Sequence, residues 1–379
     1  MALNTLPNEG LTSRGYPSDR IVTPIIINGD MSVAQRGTSS TGQTGSGYKT
    51  VDRIRLSPGG GMTFTVEQAS ESPTGQGFTK SYKVTSTTGD ATMTAAEYNI
   101  PLQMRMEGNT LQSIKKGTSN AEKITFAFWV YATVTGTYVL ELTDDDNNRY
   151  VSQTYTISSS NTWEKKIVNF PADTTGAFGN DNNKSMTINF WGGAGTNFTS
   201  GSLQTTWGAE DNTTRATGQV NAFASNNNVW QITGLQLEVG EFDSTSIPSF
   251  SFESFENNLR RCQRYFETFP SNGGDGVIGF GYGSGSDTAR TMFTFKVTKR
   301  ATPTMSDSLS SSRQYRINFM NGSGTATNQN STSTPGFGTI STLNSGYMNL
   351  AGFSSIGGGL FGFLIYNNNT TLLSADAEL

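Results

Sequence analysis

The sequence contains no histidine and only one cysteine, Cys262, in 379 residues. Without an imidazole, the chain cannot form a Ser-His-Asp or Cys-His catalytic centre, a histidine metal site or a histidine proton shuttle. A single cysteine cannot close an intrachain disulfide or build a thiolate zinc site. These absences exclude several large classes of enzyme, and they argue against a secreted scaffold held together by disulfides.

Charge is scarce as well. Charged residues make up 15% of the chain, with 26 basic and 30 acidic residues and a net charge of −4, whereas soluble domains average about 25%. No basic stripe or tail is present, so we expect no nucleic-acid partner, because phosphate binding depends on clustered Lys and Arg.

No segment approaches the ~20 apolar residues of a membrane span, and we expect no membrane insertion. The N-terminal residues lack the apolar core of a signal peptide.

Glycine and aromatic residues are abundant instead. The chain has 43 Gly, 23 Phe, 13 Tyr and 5 Trp. A disordered chain rarely carries so many large apolar side chains. Polar, glycine-rich sequence with many aromatics is typical of short strands joined by tight turns, and it predicts an all-β fold.

Strand-like segments recur along most of the chain. Residues 62–66 and 82–85 alternate between apolar and polar side chains, and residues 124–131 are almost continuously apolar, as in a central strand. The regular spacing of strands and turns predicts a jelly-roll-like β-sandwich domain over residues 25–252. A second, smaller β domain is predicted over residues 271–379, and residues 1–24 form an N-terminal arm that we expect to dock on a neighbouring protein.

One segment has a helical period and predicts a linking α-helix over residues 253–270. Its apolar residues are spaced by four, three, four and three positions, which places them on one face; they are Phe255, Leu259, Cys262, Phe266 and Phe269. Ser254 is a suitable N-cap. The stripe either packs on its own chain or forms a seam between several copies of the helix. In both cases Cys262 is a small apolar core residue rather than a reactive thiol.

The acidic run of residues 144–148 resembles a calcium loop but does not fit an EF-hand. The EF-hand pattern needs Gly at position six and Glu at position twelve, where this sequence has Arg149 and Tyr155. A hairpin turn is therefore predicted, since Asp and Asn tolerate turn geometry. We expect no metal or other cofactor, although the sequence leaves open a calcium site of another kind.

Candidate glycan contacts lie in one long polar stretch. Trp207 is surrounded there by Thr and Gly and is followed by Glu210, Asp211 and Arg215. An aromatic face can stack on a sugar ring while carboxylate and guanidinium groups bond its hydroxyls. The alternative is that Trp207 caps the edge of the sandwich. No pair of carboxylates is marked out as a glycosidase pair, so no catalytic residue is assigned.

Several motifs, in order, resemble those of bacteriophage tail-fibre and appendage proteins that carry a carbohydrate-binding-module-like jelly roll and a C-terminal β domain. No single motif is decisive, but together they span residues 25–379. They are INGDMSVAQRGT at 27–38, FWV at 128–130, NTWEKK at 161–166, ITGLQLEVG at 232–240, CQRYF at 262–266, FKV at 295–297 with RATPT at 300–304, and SADAEL at 374–379.

The resemblance implies a phage structural protein without catalysis, a tail fibre or appendage subunit that forms a homotrimer and attaches to host-surface polysaccharide. It also implies that the N-terminal arm binds other virion proteins, and that the chain is made in the host cytoplasm and works on the particle surface. The sequence departs from typical fibres in having no anchoring domain or shaft before the sandwich. A head decoration or connector protein, or less readily a glycan depolymerase, are therefore the alternatives.

Overall fold

The computed structural model describes residues 23–270, 277–307, 315–320, 326–330, 336–337, 342–353, 361–366 and 372–379. Nearly all regular structure in these ranges is antiparallel β-sheet, which confirms the predicted all-β class. Within the same ranges no helix is long and apolar enough to cross a membrane. Of the predicted N-terminal arm, residues 1–22 lie outside the described residues.

The first part of the chain, which we call the sandwich unit, contains β1 to β14 and the short helix α1. The bounds are β1 Ser39–Gln43, β2 Gly47–Tyr48, β3 Arg55–Gly59, β4 Thr63–Ala69, β5 Ser81–Thr88, β6 Tyr98–Glu107, β7 Ile124–Ala132, β8 Gly136–Asp144, β9 Arg149–Ile157, β10 Glu164–Phe170, β11 Lys184–Phe190, β12 Gly193–Ala194, α1 Thr196–Thr199, β13 Gly208–Ala209 and β14 Val229–Val239.

Two sheets form this unit. One has the order β1-β4-β5-β14-β7-β10, and the other has the order β13-β9-β8-β11-β6-β3-β2, with β12 paired to β6. Every second side chain of a strand faces the same way, and the inward-facing residues of both sheets make one apolar core. Phe128 of β7 and Phe190 of β11, for example, come from different sheets and meet edge to face at 5.0 Å. This is the two-sheet packing that the alternating segments predict.

The second part of the chain, which we call the distal unit, contains β15 to β24. The bounds are β15 Phe266–Pro270, β16 Val277–Gly283, β17 Ala289–Thr294, β18 Thr304–Asp307, β19 Tyr315–Met320, β20 Ala326–Asn330, β21 Gly336–Phe337, β22 Ser345–Leu350, β23 Phe361–Tyr366 and β24 Leu372–Asp376. They form a small sheet β15-β24-β18 and a larger sheet β20-β19-β23-β16-β17-β22-β21. A separate apolar cluster that includes Phe293, Met348 and Leu373 is the core of this unit.

The linking helix is shorter than predicted. Helix α2 spans Phe255–Gln263, and Ser254 Oγ accepts a hydrogen bond from the Asn257 N–H at 3.3 Å, as its N-cap role requires. From Phe266 onward the chain is strand β15, which pairs with β24. The prediction of a helix as far as residue 270 is therefore wrong, because the main-chain ladder to β24, distant in sequence, outweighs a local helical period.

The five residues of the predicted apolar stripe consequently have different surroundings. Cys262 is fully buried and Phe266 is 6% exposed, both within this chain. Phe269 packs against the distal core, and Leu259 is half-buried. Phe255 is 54% exposed. The stripe as a whole is thus not a continuous face that other copies of the helix could cover.

Buried ion pairs join the two units. Arg53 of the sandwich unit pairs with Glu378, and its guanidinium lies 3.5 Å from the centre of the Tyr265 ring. Glu107 accepts two hydrogen bonds from Arg264, at 2.9 and 2.7 Å. Arg53, Glu107 and Glu378 are almost completely buried. The last residues of the sequence are therefore tied to the outer face of the sandwich.

Candidate functional site

Polar side chains cover the outer face of the eight-stranded sheet in two rows. The pairing of β3, β6, β11, β8 and β9 sets Arg55, Gln103, Asn189, Glu141 and Ser152 side by side across the sheet, and we call these five residues the first row. The second row, one pleat away, comprises Arg105, Thr187, Thr143 and Tyr150. The neighbours of these residues along each strand, such as Leu140 and Leu142, face the core.

Hydrogen bonds connect most of the first row. Arg55 donates to Gln103 Oε1 at 2.8 Å, Gln103 Nε2 donates to Asn189 Oδ1 at 2.9 Å, and Asn189 Nδ2 donates to Glu141 Oε1 at 3.2 Å. Gln103, Asn189 and Glu141 are nearly or fully buried. Buried polar groups require partners, and each of these amides obtains one from its neighbour in the row. The row is therefore a fixed surface of donors and acceptors.

Glu141, in the first row, is fully buried. Its carboxylate accepts hydrogen bonds from Arg215 at 2.6 and 3.1 Å and from Trp191 Nε1 at 2.9 Å, in addition to that from Asn189. Burial lowers the pKa of Arg215, but the attraction of Glu141 outweighs burial and raises that pKa above its usual value. Four donor atoms thus converge on this carboxylate, which is an acceptor in a structural network.

The two rows form the floor of a groove of about 180 Å³, which we call the groove. Gln103 and Asn189 contribute from the first row and all four residues contribute from the second. Around them stand Asp145, Asn148, Lys184, Glu210 and Arg215. Lys184 pairs with Asp145 at 2.5 Å, and Arg215 lies 3.6 Å from Glu210. The lining is mostly polar, as a site for a hydroxyl-rich ligand requires.

The structure brings two of the four predicted glycan residues to the groove. Glu210 and Arg215 line it. Asp211 does not; its carboxylate caps a 3-10 turn by accepting from the Thr213 N–H at 2.9 Å and the Thr213 hydroxyl at 2.8 Å. Asp211 is thus engaged with its own loop, although its side chain is exposed.

Trp207 lies elsewhere and is used for packing. Its indole is half-buried against the sandwich core, and Nε1 donates to the Pro171 carbonyl at 3.0 Å. One ring face is occupied by the Lys116 ammonium, 4.8 Å from the ring centre. The alternative stated for Trp207, an edge-capping residue, therefore describes its geometry better than a sugar-stacking platform does.

The acidic run at 144–148 forms the turn between β8 and β9, and a lysine occupies its acidic centre. The Lys116 ammonium contacts Asp144, and it contacts Asp173 Oδ2 at 3.0 Å and the carbonyls of Thr175 and Gly176 at 3.0 and 2.7 Å. This oxygen cage resembles a cation site in which the cation is an ammonium group. Among the described residues, no group of three or more His, Cys, Asp or Glu is placed to hold a metal ion.

Sequence reasoning missed the residues of the groove floor. Their signal is a single polar residue between two apolar ones, as with Asn189 between Ile188 and Phe190, or Glu141 between Leu140 and Leu142. Such a pattern predicts a strand. It does not show that the polar positions of five strands lie in one row, because that depends on strand order and register.

The distal unit has an exposed apolar face on its larger sheet. Cross-strand pairing sets Phe280 beside Met292 and Tyr282 beside Phe361. Phe280, Met292 and Phe361 are 69%, 65% and 80% exposed. They surround a pocket of about 290 Å³ whose polar lining comes mainly from Arg290 and the Tyr282 hydroxyl. We call these residues the apolar face.

Comparisons with known proteins identify no family for this chain. No protein-family profile and no curated protein matches the chain. One solved structure it resembles is the enzymatically active domain of tailspike protein 4 from bacteriophage CBA120, at 13% identity over 57% of this chain, with a TM-score of 0.30. This chain spans only 21% of that domain. Another is a candidate sugar-binding protein from Bacteroides thetaiotaomicron, at 10% identity over 57% of this chain and 100% of the other, also with a TM-score of 0.30. At such TM-scores neither similarity supports an argument about function.

Proposed function

We propose that this chain is a non-catalytic structural protein of a bacteriophage particle, a tail fibre or appendage subunit, that attaches to host-surface polysaccharide through the groove. The observation that carries the proposal is the hydrogen-bonded polar floor on the outer face of a β-sheet. The floor fixes the partly or fully exposed side chains around it, Arg105, Thr143, Asp145, Lys184 and Glu210, which offer hydroxyl and charged groups to the hydroxyls of a sugar. The motifs that resemble those of phage appendage proteins support a location on the surface of the virion.

The acids of the groove favour binding over hydrolysis. A glycosidase needs one protonated carboxyl group as its general acid and a second carboxylate as its nucleophile or base. Glu141 and Glu210 lie beside Arg215, Asp144 beside Lys116 and Asp145 beside Lys184. Among the described residues, the groove and its floor therefore hold no pair of carboxylates without cationic partners, and we propose that the chain is not an enzyme.

An array of purified bacterial surface polysaccharides tests the attachment role. We expect the chain to bind at least one polysaccharide, and we expect Thr143→Leu to lower that affinity at least tenfold, because leucine adds apolar bulk above the groove floor. The matched control is Thr65→Leu, an equally half-buried threonine on β4 of the other sheet. Equal loss in both variants, or release of reducing sugar by the wild-type chain, would contradict the proposal.

We further propose that copies of this chain cover the apolar face and form the expected homotrimer. From their exposed fractions, its large side chains present about 500 Å² of surface per copy. This lies within the ~300–600 Å² of the largest apolar patch on a typical monomer, which is often functional, and it is enough for the centre of an interface that buries about 800 Å² per partner. A sugar is a poorer occupant, because Arg290 and the Tyr282 hydroxyl are the main polar groups there.

Sedimentation velocity tests the oligomer. We expect wild-type protein to sediment as a trimer at micromolar concentration and Met292→Asp to sediment as a monomer, because a buried unpaired carboxylate is costly. Thr304→Asp, at an exposed position of β18, is the control and should stay trimeric. A monomeric wild-type chain, or a trimeric Met292→Asp variant, would contradict this assignment.

A further inference from the structure

Positive charge collects at one end of the first row. Arg55 and Arg105 both donate to the same oxygen, Gln103 Oε1, at 2.8 and 3.2 Å. Lys49 is close enough to Arg55 for its charge to matter: burial first, and then repulsion by Arg55, lowers the pKa of Lys49. Burial and then repulsion by Arg105 likewise lowers the pKa of Arg55. We call Lys49, Arg55 and Arg105 the basic cluster.

The basic cluster differs from the other cations of this face in its partners. Lys184, Arg149 and Arg215 each lie within 4.0 Å of an acidic side chain. Among the described residues, no Asp or Glu carboxylate comes that close to any member of the basic cluster. Gln103 Oε1 is a neutral acceptor, whereas one Arg105 nitrogen donates at 2.7 Å to an oxygen of Leu379, the last residue of the sequence. Among the described residues, Lys49 and Arg55 are therefore the members of the cluster whose charges lack an acidic partner.

This arrangement is costly without a ligand. Two guanidinium groups that converge on one amide oxygen repel each other, and partial burial weakens the screening of that repulsion by water. An oxyanion placed beside them would relieve the repulsion, and guanidinium groups bind carboxylates with paired, charge-assisted hydrogen bonds. Because Gln103 and Arg105 also line the groove, a ligand in the groove would bring such a group within reach.

We propose that the polysaccharide bound in the groove is acidic, and that the basic cluster holds the carboxylate of a uronic acid unit, with Arg55 and Arg105 as its donors. The inference rests on the function proposed above and adds the chemical class of the ligand. It also assigns a direction, because the acidic group lies at the β3 end of the first row and the neutral sugar hydroxyls extend toward β8 and β9.

The test compares each acidic polysaccharide with its own carboxyl-reduced derivative. Reduction turns the uronic acid into the neutral hexose and leaves the linkages and the other hydroxyls unchanged. On an array that carries both forms, we expect the wild-type chain to bind the acidic form at least tenfold more tightly. Its affinity for that form should fall steeply between about 50 and 300 mM salt, as displacement of ions by a charged ligand requires.

Substitutions test whether the basic cluster is what binds the carboxylate. Arg55→Gln should reduce affinity for the acidic form about tenfold and leave affinity for the reduced form unchanged, while Lys123→Gln, an exposed lysine paired with Glu241, should change neither. Equal binding of both forms, or a salt-independent affinity, overturns the inference and leaves the attachment role intact. Binding to no polysaccharide at all overturns both. The salt dependence of the wild-type chain still separates these outcomes even if Arg55→Gln fails to fold.

Discussion

Replacing Lys116 with methionine is expected to lower the free energy of unfolding by about 3–5 kcal/mol, the usual cost of removing one partner from a buried ion pair. The Lys116 ammonium and the Asp144 carboxylate are 1% and 0% exposed. Methionine is close to lysine in size, so the packing against Trp207 is retained while the charge is lost. Urea denaturation at pH 7, followed by tryptophan fluorescence, measures the change.

Lys115→Met is the matched control, because its ammonium is 52% exposed and pairs with an exposed carboxylate of Glu122 at 2.7 Å. Exposed pairs contribute about 0–1 kcal/mol. Burial raises the pKa of Asp173, but hydrogen bonds from Arg149 and Lys116 outweigh burial and hold that pKa below its ordinary value. This stabilisation is present above about pH 4 and is lost as the pH falls further. If both lysine variants lose the same stability, the cage is not a structural element.

Replacing Glu378 with glutamine is expected to weaken the junction between the units by about 3 kcal/mol, because Arg53 would stay buried without its acidic partner. Both side chains are less than 5% exposed. Burial lowers the pKa of Arg53, but the charge of Glu378 overcomes burial and raises that pKa above its usual value. Differential scanning calorimetry should show one transition in the wild-type chain and two in the variant, as the units lose their coupling.

Asp376→Asn separates this effect from a general loss of charge near the end of the sequence. Its carboxylate is 42% exposed and lies 3.2 Å from Arg36, so we expect a change below about 1 kcal/mol. A single transition in Glu378→Gln, with an unchanged midpoint, would show that the pair does not couple the units.

Local pattern is sufficient to predict the strands but not the helix end. Residues 62–66, 82–85 and 124–131 alternate or are continuously apolar, and the strands β4, β5 and β7 occupy those positions. The stripe from Phe255 to Phe269 has an equally clear helical period, yet its second half pairs with β24, about a hundred residues later in the sequence. A sequence window cannot show such a partner, and the partner decides the conformation.

The candidate site is predictable only in part for the same reason. Glu210 and Arg215 are candidates because they lie near Trp207 in the sequence, and they do reach the groove, but Trp207 itself packs inward on Lys116. The floor residues come from five strands whose order in the sheet is not their order in the chain. Gln103 and Asn189 are 86 residues apart and become neighbours only through β6–β11 pairing.

The hydrogen-bonded floor has a consequence for the lifetime of the proposed contact with a polysaccharide. Because its amides are already held by one another, little side-chain freedom is lost on contact, so the free-energy cost of binding is low. The same satisfied groups have few bonds left to offer, so each single contact should also break quickly. Three such sites on the proposed trimer would lengthen residence by avidity, by about 10²- to 10⁴-fold. Single sites of that trimer would then exchange between sugar units while the other sites stay bound.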